Sequence, residues 1–141
     1  MERKDFMLAV LAAARGGTHS PVQVQKLFFL IDQNIPKLVG GTYFNFVPYN
    51  YGPFDKAVYE ELEGLAFIGN VDIFFDKTWN SYRLTESGQK RGDELLASLP
   101  KEAQDYIRKI STFARSLTFT QLISVIYKAY PEMRANSVFQ G

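Results

Sequence analysis

The sequence predicts a mainly α fold, a compact single domain of about six helices with one β-hairpin, and three observations carry that expectation. Apolar residues recur at helical spacing through several stretches, best seen at Val24, Leu27, Phe28 and Ile31. Two Ser/Thr-x-x-Gln signatures, Ser20 with Gln23 and Thr118 with Gln121, mark helix starts, because hydroxyl and amide together satisfy two backbone N–H groups orphaned at a helix N-terminus. One pair of β-prone runs, Val71 to Phe75 and Ser81 to Leu84, is joined by a short polar link.

The elements follow in order. Phe6, Met7, Val10, Leu11 and Ala14 share one face of an amphipathic helix from about Glu2 to Arg15, stopped by Gly16-Gly17. Ser20-Pro21 then starts a second helix that closes near Asn34-Ile35-Pro36. After Gly40-Gly41 the period changes, and Tyr43 to Tyr49 reads as extended. Gly52-Pro53 is expected to be a turn that launches a third helix, with Phe54, Val58, Leu62 and Leu65 on one face and Lys56, Glu60 and Glu63 on the other. Gly69-Asn70 ends it before the hairpin. Thr85 caps a fourth helix to about Ser98, and Leu99-Pro100 separates it from a fifth carrying Ala103, Tyr106, Ile107, Ile110, Ala114 and Leu117. The sixth runs from Thr118 to Tyr130, where Pro131 stops it. The domain thus spans residues 1–131, and the polar residues 132–141 are expected to form a loose tail.

Composition narrows the function classes. At 46% hydrophobic and 15% aromatic, 141 residues suffice for one real core. Sixteen basic against fifteen acidic residues leave a formal charge of +1, far from the basic balance of a domain built for phosphate contact. The lack of cysteine excludes disulfides, thiol nucleophiles and thiolate metal sites, and fits a cytoplasmic location. The charged start followed by Phe6 to Ala14 mimics a secretory leader, but Asp5 interrupts its pattern and a helix explains the same residues. No later apolar run is long enough to span a bilayer, so no membrane partner is expected.

Catalytic chemistry finds no support. His19 is the sole histidine, and adjacent residues cannot place an imidazole on the hydroxyl of Ser20 in triad geometry, so His19 reads as a loop residue and Ser20 as a cap. Asp55, Glu60, Glu61 and Glu63 share their helix with Lys56 and lack further ligands at metal spacing, which makes them a solvated face. Gly40-Gly41-Thr42 lacks the lysine of a phosphate-binding loop. The expectation is no enzyme, no metal and no cofactor.

The informative stretch is Tyr43 to Phe54, in which six of twelve residues are aromatic. Such a cluster is either a core plug or a recognition surface, since each tyrosine pairs a large apolar area with a hydroxyl that needs a partner. The candidate partner-binding residues are Tyr49, Tyr51, Phe54 and Tyr59 as an aromatic centre, with Glu60 and Glu63 on the rim. If the third helix met DNA, Asp55, Glu60, Glu61 and Glu63 against Lys56 alone would oppose the phosphate term that dominates affinity. The hairpin adds only Lys77 and Arg83, and Lys90, Arg91, Arg108, Lys109 and Arg115 are spaced as ordinary solubilising charges.

Two resemblances bear on these elements. The order Gly64-Leu65-Ala66-Phe67-Ile68-Gly69, a hairpin, then Tyr82-Arg83-Leu84-Thr85-Glu86-Ser87-Gly88 resembles the wing of winged-helix proteins, which implies a winged-helix-like domain and, as the alternative function, a DNA-binding transcriptional regulator. The run Val24-Gln25-Lys26-Leu27-Phe28-Phe29-Leu30, then Tyr51-Gly52-Pro53-Phe54 and Val58-Tyr59-Glu60-Glu61-Leu62, resembles the Panacea, or SocA-like, family of bacterial antitoxin-associated domains. That likeness covers Ser20 to Leu65, and implies a small helical protein that binds a partner protein, often a toxin, and has no activity of its own. The preferred reading is therefore a non-enzymatic protein-binding module.

Overall fold

The computed structural model describes residues 1–140 as one mainly helical domain with two small antiparallel hairpins. The chain runs α1 (Arg3–Ala12), α2 (Pro21–Asn34), the single turn α3 (Pro36–Val39), β1 (Val47–Tyr49), β2 (Gly52–Phe54), α4 (Lys56–Phe67), β3 (Val71–Asp76), β4 (Trp79–Leu84), α5 (Glu86–Ala97), α6 (Lys101–Ser116) and α7 (Phe119–Ala129). The six expected helices and the hairpin at Val71–Leu84 are all present. A proline-started turn and a second hairpin add to them.

Both capping boxes form, and Thr85 accepts from the Gly88 N–H to start α5. Gly52-Pro53 does not launch a helix. It forms β2 opposite β1, with Asn50-Tyr51 as the turn, and α4 starts at Asp55, whose carboxylate accepts from the Ala57 N–H at 2.9 Å and the Asn45 N–H at 2.7 Å. A short side chain able to hold two backbone donors outcompetes proline as the starter of that helix.

α1 is not amphipathic in the fold. Phe6 to Ala12 are seven consecutive buried residues, because α5 covers the side of α1 that the periodicity left to solvent. α2 is likewise buried from Val24 to Asp32, polar residues included. The Asp32 carboxylate, held above its ordinary range mainly by burial, accepts from the N–H groups of Tyr43 and Phe44, and Arg3 donates to the Tyr43 carbonyl at 2.8 Å. The aromatic stretch is thereby laced onto α2 and α1: Phe6 stacks on Tyr43 with ring centroids 3.9 Å apart, and Phe44 sits in the core. Leu27, Phe28, Val58, Leu62, Ile107, Leu122, Ile123 and Ile126 are all fully buried, with Ile110 half-buried at the seam between two core clusters.

Residues 132–139, expected to be loose, are tied to the body. Pro131–Arg134 forms a 3₁₀ turn with Met133 buried, and the chain then returns along the first hairpin. There the Val138 N–H donates to the Asn50 carbonyl at 3.0 Å, Asn136 to the Pro48 carbonyl, and Tyr127 to the Ser137 hydroxyl at 2.7 Å. Phe139 packs on Phe119 and Tyr127, so an aromatic residue near the end supplies the burial that polar neighbours lack. Gly141 lies outside the described residues.

Candidate functional site

An apolar groove of about 610 Å³ opens between the start of α2, the β1–β2 hairpin, the tip of the β3–β4 hairpin and the start of α7. This lies within the roughly 300–1,000 Å³ typical of ligand sites. Its construction begins with Gln25 on α2, whose amide donates to the Asp55 carbonyl at 2.9 Å and accepts from the Asp55 N–H at 3.0 Å, as a neighbouring strand would. That pairing sets the end of β2 against the helix. Gly52, at φ +102°, then crosses Lys26, where an added Cβ would sit in ordinary contact, 3.4 Å from Lys26 Cε and 3.5 Å from the Tyr127 ring. A side chain there would be strained by the left-handed backbone rather than by lack of space.

The aromatic wall follows from the hairpin register. Tyr49 packs on Phe54 with centroids 4.8 Å apart, Phe54 meets Tyr59 edge-on at 5.8 Å, and Tyr51 meets Phe119 of α7 at 5.2 Å. Trp79 closes the side formed by the second hairpin. Tyr49, Tyr51, Trp79 and Phe119 each keep 41–49% of their surface in solvent, while Tyr59 is largely covered; its hydroxyl donates to the Pro21 carbonyl, and burial raises it to about 12.

At the floor lies Lys26, only 3% exposed. Its ammonium donates to the Pro53 carbonyl at 3.2 Å, and no carboxylate comes within 4 Å of it among the described residues. Burial without a counter-charge lowers its pKa to about 7, so charged and neutral amine coexist at neutral pH. His19, just outside the lining, is also buried, with neither ring nitrogen bonded to protein. Burial first, and the Arg115 charge second, lower it to about 4, so it stands neutral and serves the fold through backbone bonds to Tyr82 rather than through its ring.

Of the sequence-predicted residues, Tyr49, Tyr51, Phe54 and Tyr59 converge on the groove. Glu60 and Glu63 do not. Both are exposed and neither lines the groove: Glu60 lies about 100° round α4 from Tyr59, and Glu63, on the same face as Tyr59, lies one turn further along, past the groove. Lys26, Trp79 and Phe119 went unassigned by sequence reasoning. One signal pointed to the lysine: with Gln25 it interrupts an otherwise apolar run from Val24 to Ile31, and a helix so nearly apolar all round must be buried and must take Lys26 with it. Trp79 and Phe119 come from distant segments, and no spacing connects them. Among the described residues, no group of three or more histidine or acidic side chains is placed to hold a metal ion, and no helix is long and apolar enough to cross a membrane.

Comparison with family models, with curated proteins and with solved structures returns no match to this chain.

Proposed function

We propose that this chain is a non-enzymatic protein-binding module that takes an apolar segment of a partner polypeptide into the groove, as its resemblance to Panacea, or SocA-like, antitoxin domains implies. A toxin is the partner class that the same resemblance suggests. The observation that carries the reading is the set of four half-exposed aromatic rings, Tyr49, Tyr51, Trp79 and Phe119, gathered around one concave surface from three separate parts of the chain. Scattered exposed apolar residues need no explanation, whereas a convergent aromatic set has the composition of binding hot spots.

A display library of random peptides tests it. Selection should enrich sequences with aromatic or aliphatic anchors, and Tyr51→Ala should weaken the selected peptides by more than about 1 kcal/mol, roughly fivefold, while the thermal midpoint stays nearly unchanged. Absence of enrichment over the Tyr51→Ala protein would overturn the proposal. So would salt-sensitive, sequence-selective binding of duplex DNA that is lost on changing α4, the behaviour of a winged-helix regulator.

A further inference from the structure

Lys26 is an expensive residue to keep where it is. An ammonium has three donors, and among the described residues the only acceptor bonded to it is the Pro53 carbonyl, although the side chain is almost wholly withdrawn from water. Burying a cation is tolerated when a partner charge or a full set of acceptors compensates, and the fold supplies neither. Two further features add positive potential at the same place. The first turn of α2 (Pro21, Val22, Gln23) and the start of α7 (Thr118, Phe119) both line the groove, so two helix N-termini, the positive ends of their dipoles, face it together with the lysine. Around this stands a largely aromatic wall in which the attraction for an anion is weakly screened, with Asp76 at the tip of the second hairpin the one carboxylate in the lining.

We infer that the floor of the groove is a carboxylate site, and that it reads the C-terminal carboxylate of an apolar polypeptide segment. Two donor hydrogens of the Lys26 ammonium remain for the two carboxylate oxygens, and the aromatic wall receives the last side chains of the segment. A chain terminus fits better than an internal acidic side chain. The floor is closed, with Lys26 only 3% exposed, so a segment continuing past it would have to turn back and bury backbone N–H and C=O groups there, whereas a terminus ends at the lysine with its charge satisfied. The inference rests on the groove being a polypeptide site, and adds its chemical selectivity.

Matched libraries of N-acetylated tetrapeptides separate the possibilities, each randomised over aromatic and aliphatic residues. One ends in free acids, the second in carboxamides, and the third in carboxamides with one Glu or Asp within the sequence. Free acids should bind the intact protein, with amidation weakening them at least tenfold. Their affinity should fall several-fold from pH 6 to pH 9 as Lys26 loses its proton. In Lys26→Met, acids and amides should bind alike, and the fall in acid affinity from pH 6 to pH 9 should be lost apart from whatever Asp76 and the wall tyrosines, unchanged in the variant, contribute; circular dichroism verifies that the variant is folded. Equal binding of acids and amides to the intact protein overturns the carboxylate site and leaves the groove as an apolar peptide site. Preference for the third library overturns the C-terminal assignment. No binding from any library overturns the groove reading as well.

Discussion

Lys26 shows how a single residue can set stability against function. Its pKa of about 7 in the fold lies below the ordinary value of 10.5, so between those limits the unfolded chain holds a proton that the folded chain has released. Stability must then rise with pH across that window, and it is lowest below pH 7, where folding buries a charged amine. Lys26→Met keeps most of the length and removes the charge. It should raise stability at pH 7 by roughly 2 to 4 kcal/mol, after loss of the bond to Pro53, and should flatten the rise between pH 7 and 10.5. Urea denaturation of both proteins at several pH values measures this. An unchanged or lower midpoint for the variant would mean that the amine is compensated in the fold. A residue that costs stability without serving the core is what a binding site predicts.

At the scale of elements, the closest packing is between α1 and α5, and glycine makes it possible. An added Cβ at Gly92 would lie 2.5 Å from the Leu8 carbonyl oxygen and 2.8 Å from the Ala12 methyl, so the helices meet backbone to backbone. The Gln89 amide, donating to the Ala12 carbonyl at 3.0 Å, fixes the register of that contact. In an isolated helix Gly→Ala favours the helical state by about 1 kcal/mol. Here the sign should reverse: Gly92→Ala should destabilise by about 1–3 kcal/mol through overpacking, read as a lower urea midpoint. A gain in stability would show that the two helices separate at little cost.

For the whole molecule, the two hairpins are held by different means. The β3–β4 hairpin is six residues a side and is joined to the body by the His19–Tyr82 bridge and by Thr85 and Ser87, which donate to the Gly69 carbonyl. The β1–β2 hairpin is three residues a side, below what stands alone in water, and the returning C-terminal segment braces its turn through Asn50. A chain ended after Arg134 should keep its helical circular dichroism. Its amides from 47 to 54 should exchange markedly faster than in the full chain, because the bonds at Pro48 and Asn50 and the packing of Phe139 are gone. Unchanged exchange there would show that Gln25, Asp55 and Lys26 suffice to hold the groove wall.

Read alone, the sequence determined whatever is local. Capping boxes at Ser20 and Thr118, the Thr85 cap and the two runs that pair from Val71 to Leu84 are set by side chains a few residues apart, so they were legible before any tertiary contact. The buried stripe of Leu27, Phe28, Leu122, Ile123 and Ile126 was legible for the same reason, since helical pitch alone aligns it. Tertiary structure decided the rest. Whether Tyr43 and Phe44 plug the core while Tyr49 and Tyr51 face solvent depends on the Asp32 and Arg3 bonds to the Tyr43 and Phe44 backbone, formed across separations of 11 to 40 residues. Gly52-Pro53 became a strand by pairing with Pro48-Tyr49, and Gln25, 30 residues from Asp55, holds the backbone just past that strand against α2. The groove itself unites α2, two hairpins and α7 around a lysine whose cost is visible only once its surroundings are known, and a cost of burial is a property of the neighbours, which no spacing within the chain encodes.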